Sequence, residues 1–327
     1  MTDRLAKAFP FLLIAPAILP IVYVSGLVFP YISIKIFSLW TIGILAFATF
    51  IFLALSGKPF FYRRLRSPVS WIPLVLLAVQ YVTSYFGMDF YHSFWGLFER
   101  GDGLLTSTII TIFFYLILIS ADRQLLERLV KTIVVIAGVV AGIAVLQWIT
   151  TIFGGSSSFL PPINGRIGST FGNAAFLAGY LGMAFFVSLI VMRDSVGHWL
   201  TISRTAIVLS VLAILFAATR GTILALIVVV FITAFYLAFM GVETTKQIAR
   251  YGLIGLVIFA GIFIGFREQF AKVPFEPIQR MASISLTDGT VSSRLFVWRN
   301  IGAEALQRPF IGYGAEHVAR LFDKVYD

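Results

Sequence analysis

The chain has 327 residues and a formal net charge of +10, with 59% of its residues hydrophobic and 12% charged, against roughly 45–50% and about 25% in an ordinary soluble domain. With 33 Phe, 12 Tyr and 6 Trp it carries more apolar surface than one soluble core of this length can hide, so lipid must solvate most of it, and soluble, fibrous and disordered classes are excluded. Lys and Arg fall in short clusters between apolar runs, which argues against nucleic acid and for topology signals, and the absence of cysteine excludes disulfides, thiolate metal sites and cysteine nucleophiles.

In chain order, the first apolar run is Phe9 to Val28, an uncleaved helix behind the basic leader Arg4 and Lys7, kinked by Pro10, Pro16 and Pro20. Further spans are expected at Phe37 to Leu55, Val69 to Phe86, Leu104 to Ile119, Thr132 to Ile152 and Asn173 to Met192. Thr205 to Met240 is apolar except around Arg220; as one helix of about 36 residues it would measure about 54 Å, well beyond a bilayer, so it must break at Thr219-Arg220-Gly221. Tyr251 to Phe266 is the ninth run and leads into a polar segment, Arg267 to Asp327. The pairs Gly138/Gly142 and Gly261/Gly265 have the spacing that lets helices approach closely. The expected fold is an all-α polytopic transmembrane bundle of about nine spans, with residues 1–266 as the membrane domain and 267–327 as the start of a large extracytoplasmic loop that is incomplete here.

Cationic asymmetry orients these spans. One set of loops carries Arg4, Lys7, Lys58, Arg63, Arg64, Arg66, Arg123, Arg128, Lys131, Arg193, Arg204, Lys246 and Arg250; the other carries only Lys35, Arg100, Arg166 and Arg220. The positive-inside rule makes the first set and the N-terminus cytoplasmic. The opposite face then presents the loop Gly87 to Gly103, the loop Phe153 to Gly172, the Arg220 turn and the segment Arg267 to Asp327.

No phosphate-binding GxxxxGK[ST], HExxH or DxD motif occurs, and His92, His198 and His317 are far apart in sequence, so no metal or cofactor is expected. No span holds an Asp or Glu at mid-membrane depth, which lowers the odds of an ion-coupled carrier. What remains is a set of outward arginines: Arg100, Arg166, Arg220, Arg280, Arg294 and Arg299. A guanidinium presents a fork of donors matched to phosphate oxygens, so several converging would suit a lipid-linked pyrophosphate. The plainer readings stay open: Arg220 snorkelling to headgroups, Arg100 in a loop ion pair with Glu99 or Asp102, Arg299 solvated on a helix, His317 on a surface loop. Ser292 and Ser293 can cap a helix whose Leu295, Trp298, Ile301, Gly302, Ala305 and Leu306 form an apolar stripe suited to a membrane surface, with Arg294 in its first turn.

Gly165-Arg-Ile-Gly-Ser-Thr-Phe-Gly-Asn173 with Phe176-Leu-Ala-Gly-Tyr180, then Ala218-Thr-Arg-Gly-Thr-Ile-Leu-Ala-Leu226, then Arg294-Leu-Phe-Val-Trp298 with Pro309-Phe-Ile-Gly-Tyr-Gly314 resemble the successive signatures of the O-antigen ligase and polymerase superfamily. Ser93 to Gly103 also looks like the first outer loop of bacterial members, so the resemblance runs over roughly residues 90 to 320. The chain departs from the family pattern at Ala174-Ala175, where Pro-Asn is commoner, and at Thr219, where Ser is commoner; neither change removes a charge.

The resemblance implies a GT-C-like glycosyltransferase of the bacterial inner membrane. Such an enzyme moves glycan from undecaprenyl pyrophosphate to a hydroxyl of a glycan, lipid or protein acceptor on the periplasmic side, as in lipopolysaccharide biosynthesis, without metal or nucleotide sugar. It implies that Arg220 and Arg294 hold the pyrophosphate, with Arg166 helping; Arg100 and Arg280, from the same set of outward arginines, are expected to contribute to substrate binding. The family's general base is a histidine in a His-Asn context; His317 is followed by Val318 and is not given that role, so the base is expected beyond Asp327. The alternative from another class is a non-enzymatic transporter of an anionic solute.

Overall fold

The computed structural model describes residues 2–97, 99–154, 160–161, 163, 166–283 and 289–326. Phe98 of the loop Gly87 to Gly103, and Gly165 at the start of the first signature, lie outside the described residues. Among the described residues every regular element is helical. In order these are α1 (Thr2–Ile14, continued by a 3-10 turn over Ala15–Ile21), α2 (Ser33–Leu55), α3 (Ile72–Tyr85), α4 (Phe90–Trp95), α5 (Leu104–Ser120), α6 (Arg123–Ile152) and α7 (Ala174–Arg193). There follow α8 (His198–Phe216), α9 (Arg220–Met240), α10 (Glu243–Gly265), α11 (Arg267–Phe270), α12 (Glu276–Ala282), α13 (Gly289–Gln307) and α14 (Val318–Tyr326).

Eight helical stretches are long and apolar enough to cross a membrane, and α5, apolar over 17 residues, is at the short end of what can span hydrocarbon. These are the nine runs expected from the sequence. The first is displaced toward the N-terminus: helix begins at Thr2, and Pro16 and Pro20, lacking N–H donors, tighten the chain to 3-10 geometry and end it at Ile21 rather than Val28. The long apolar run breaks as its length requires, but at Ala217–Thr219, just before Arg220.

Contacts divide the chain into two compact units, residues 1–136 with 289–327, and residues 137–288. In the first, α2 packs against α1 and α5 around Phe9, Leu13, Ala46, Leu53, Ile109, Phe113 and Leu116. Gly43 makes the α2–α5 crossing close, since a Cβ there would stand 2.6 Å from Ile109 Cγ2. Trp40 Nε1 donates to Thr106 Oγ1 at 2.8 Å across the same seam, and Arg64 caps the C-terminal end of α5 by donating to the carbonyls of Leu118 and Ala121.

In the second unit α7 lies along α8 with small residues facing inward, Ala174, Ala178 and Ala184 from one helix and Ala206, Ser210 and Ala213 from the other. Gly138 faces Ala206, with its Cβ position 3.5 Å from the Ala206 Cβ, and Gly142 faces Leu209, so this pair mediates packing as its spacing suggests. Gly261 and Gly265 do not: nothing lies within 4 Å of where their Cβ atoms would be. Exposed Ile254, Val257, Ile258 and Phe259 cover α10, and only a lipid solvent accommodates such a helix.

Candidate functional site

The site of the second unit begins with the first signature. Gly168 to Asn173 folds as a tight loop in which Ser169 adopts φ +47° and Gly168 has no room for a side chain, its Cβ position lying 2.7 Å from the Gly172 carbonyl carbon. Gln147, the one amide in the apolar Thr132–Ile152 stretch of α6, pins this loop: its Oε1 accepts from the Ser169 N–H at 2.8 Å and its Nε2 donates to the Pro161 carbonyl at 2.8 Å. Ser169 Oγ donates to the Val140 carbonyl at 2.8 Å. Gln147 and Ser169 are 1% and 0% exposed, so these are bonds that must be made. The loop ends in Asn173, whose Oδ1 caps α7 by accepting from the Ala175 and Phe176 N–H groups.

The second signature meets the first at this end of α7. After α8 the chain turns through Ala218, at φ +49°, and α9 starts on Arg220. Thr219 stands at the N-cap, yet its hydroxyl makes no cap bond; it donates instead to the Ala174 and Ala217 carbonyls at 3.2 and 3.3 Å. Two helix N-termini, each the positive end of a dipole, therefore adjoin.

Three of the arginines singled out by the sequence lie in this region. Arg220 Nη2 donates to Ser283 Oγ at 3.0 Å, and Ser283 in turn donates to the Arg280 carbonyl at 3.2 Å. Arg280 Nε pairs with Glu276 Oε1 at 2.7 Å, one turn away on α12. Arg166 lies close enough to feel both: burial first, then the Arg280 charge, lower its guanidinium from its ordinary value, and Glu276 opposes this. Arginine still stays charged under such a shift, so among the described residues Arg166 and Arg280 share the Glu276 carboxylate. The segment carrying α12 is anchored by Phe275, which stands edge-on to a parallel stack of Trp148 and Phe216 whose centroids are 3.8 Å apart. Guanidiniums beside two helix N-termini can hold an anion with several oxygens.

Arg100 and Arg294 belong to the first unit. Arg100 is exposed, and its charge acts on Glu316 beside Asp102. Arg294 is exposed on α13, which starts at Gly289; Ser292 therefore lies inside the helix, where its hydroxyl donates back to the Gly289 carbonyl at 3.4 Å instead of capping. Trp298 and Leu306 of its apolar stripe are 69% and 78% exposed. His317 is not a surface residue: it is 1% exposed. Sequence reasoning found the cations but missed Gln147, Ser283 and Glu276. Of these, only Gln147 left a trace, as a solitary amide in an apolar span. Among the described residues, no group of His, Asp or Glu side chains is placed to hold a metal ion.

A family model described as O-antigen ligase matches residues 205–326, which include the second signature and the two that follow it. No curated protein matches the chain, and no solved structure does.

Proposed function

We propose that this multi-pass membrane chain, whose residues 205–326 match a family model described as O-antigen ligase, transfers glycan from undecaprenyl pyrophosphate to an acceptor hydroxyl on the extracytoplasmic side of the bacterial inner membrane. The observation that carries the proposal is the convergence of Arg166, Arg220 and Arg280 at the adjoining N-termini of α7 and α9. In such a transfer the acceptor oxygen bonds to the anomeric carbon as the bond to the pyrophosphate oxygen breaks, and negative charge develops on the departing group. Fixed guanidiniums stabilise that charge without reorganising at the moment of reaction. Arg220 is given the central role because Ser283 and the start of α9 both fix it. Arg166 and Arg280 widen the cationic surface, and Glu276 holds Arg280 in place. Arg294 enters on its signature alone.

The test is turnover of an undecaprenyl-pyrophosphate-linked glycan by the full-length protein in proteoliposomes. Arg220→Ala should remove most transfer and Arg220→Lys restore part of it, because Lys keeps the charge but loses the fork. Undiminished transfer by Arg220→Ala would assign the residue to headgroup snorkelling instead. Sidedness has its own measurement, since the chain has no background thiol: a membrane-impermeant maleimide should label cysteine placed at Ala271 in intact cells, and cysteine placed at Arg63 only after the membrane is opened.

A further inference from the structure

Within the first unit, a 3-10 turn over Tyr62–Arg66 packs against the last turn of α5. Phe61 N–H donates to the Ile119 carbonyl at 2.7 Å, and Arg64 Nη1 donates to the Leu118 and Ala121 carbonyls at 2.9 and 2.6 Å. The Arg64 guanidinium carbon lies 4.3 Å from the Phe61 ring centre, so ring and carbonyls together fix the plane of the fork. Capping α5 uses Nη1 alone. A guanidinium carries five N–H donors, and among the described residues the other nitrogens of Arg64, Nε and Nη2, have no partner. That edge can bind two oxygens of one phosphate side by side.

Beside the fork lies a groove of about 230 Å³ lined by Arg64, Phe114, Ile117, Leu118, Ala121 and Leu126. Phe114, Ile117, Leu118 and Ala121 recur at the i, i+3, i+4, i+7 spacing of one helical face, and Leu126, from the first turn of α6, lines the same space. Phe114 and Leu126 are 39% and 45% exposed. Apart from Arg64 the lining is apolar. The space is smaller than the roughly 300–1,000 Å³ that encloses a whole drug-sized ligand, so it takes a stretch of one chain rather than an entire molecule.

The charges around the groove have one sign to spare. α5 ends at Ser120 and α6 begins at Arg123, so Arg64 stands where apolar helix gives way to polar sequence. Arg63, Arg64 and Arg66 are exposed, and among the described residues none of them pairs with a carboxylate. The nearby acids are engaged: Glu127 pairs with Lys131 at 2.5 Å, and Asp122 accepts the Leu125 N–H at 2.7 Å.

We propose that this groove is a binding site for an anionic phospholipid, with Nε and Nη2 of Arg64 on the headgroup phosphate and one acyl chain against Phe114, Leu118 and Leu126. Charge complementarity selects that occupant, since a headgroup of net negative charge gains from Arg63 and Arg66 as well, whereas a zwitterionic one brings its own cation. A soluble anion satisfies the fork and leaves the groove unfilled. The site lies in one unit and does not draw on the glycan-transfer reading.

The experiment titrates the full chain in detergent with phosphatidylglycerol, and separately with phosphatidylcholine, and counts bound lipid by native mass spectrometry. The parent should take its first phosphatidylglycerol about tenfold more tightly than its first phosphatidylcholine. Arg64→Ala should abolish that preference, and Arg64→Lys should restore part of it, because Lys keeps the charge but loses the fork. Leu126→Trp fills the groove while leaving the α5 cap intact, so it tests the site even if Arg64→Ala folds poorly; it should weaken phosphatidylglycerol about fivefold by excluding the chain. Arg63→Gln and Arg66→Gln remove the same charge away from the groove and should each cost less than about twofold. Equal losses at the three arginines would overturn the site in favour of a diffuse positive field. Equal affinity of the parent for the two lipids would overturn the charge selection, and undiminished binding by Leu126→Trp would overturn the groove. Excess inorganic phosphate should leave the lipid bound; its displacement would show that the fork alone holds the anion and would equally refute a lipid site.

Discussion

Arg166, Arg220 and Arg280 sit half-buried around one carboxylate and one hydroxyl, whereas Ser84, Ser93 and His317 are sealed from solvent and pair mostly with backbone groups of a segment more than 200 residues away. The first arrangement gathers charged side chains where an ion can reach them. The second, a buried junction, joins neutral donors to neutral acceptors, which specifies a shape and offers nothing to a ligand. Substitutions in the arginine cluster should therefore cost turnover and spare folding, and those in the junction should do the reverse to first order.

The largest expected effect tests the first half of that contrast. Arg220→Ala should lower the rate of glycan transfer by about 10² to 10³, the usual consequence of removing one donor to developing charge, while thermal unfolding in detergent moves little. A large fall in unfolding temperature would instead make Arg220 a structural residue and erase the contrast.

Gln147→Leu crosses the boundary, because Gln147 holds the arginine loop by junction-like bonds. It leaves the Ser169 N–H and the Pro161 carbonyl buried without their partner, at a cost of about 1–3 kcal/mol, and should lower both the unfolding temperature and the turnover carried by Arg166. Loss of turnover with unchanged unfolding would show that the loop tolerates being unpinned.

The junction should also respond to acid. Burial first, then the charges of His92 and Arg320, lower the His317 pKa, opposed by its bonds to the Ala315 and Gly314 backbone. A group depressed on folding gives stability that is whole above its ordinary value of 6.5 and is lost as the pH falls through its folded value. Glu316, raised by burial first and Asp102 second and opposed by Arg100 and His92, has the other sign: its contribution is whole below 4.5 and is lost as the pH rises through its folded value. Maleimide labelling of cysteine placed at Leu321, a buried position of α14, should therefore accelerate as the pH is lowered from 6.5, and His317→Gln should abolish that acid limb. An unchanged limb in that variant would assign it elsewhere. The smallest effect belongs to Arg320→Ala: its partner Asp89 is solvated, such pairs contribute little, and the labelling rate should barely change.

The eight candidate spans and the shorter α5 among the described residues were legible because bilayer thickness fixes the length of each apolar run, and the α8–α9 break was legible because no bilayer is 54 Å thick, at about 1.5 Å per helical residue. The break came a few residues early because Ala217 and Ala218, which read as apolar continuation, form the turn. Arg166, Arg220 and Arg280 stood out as cations on a sparsely charged face. Ser283 and Glu276 did not, since a surface serine and an i,i+4 glutamate have no signature until α12 folds back onto α8. His317 looked exposed because sequence shows only its local company, whereas its burial is set by Ser93, 224 residues away. Likewise Ser292 resembled a cap until Gly289 proved to start the helix.

The turn at Ala218 has a consequence for which substitutions the chain tolerates. A buried, non-glycine residue at φ +49° stores about 1–2 kcal/mol of backbone strain, and β-branched side chains tolerate that conformation worst. A saturation library at this one codon should thus be lopsided: glycine relieves the strain, fills no space and should outlast the parent on heating, while valine and isoleucine should vanish from the folded pool. In that sense the hairpin that presents Arg220 is under tension, and a protein selected only for heat resistance would be expected to let it go first at position 218.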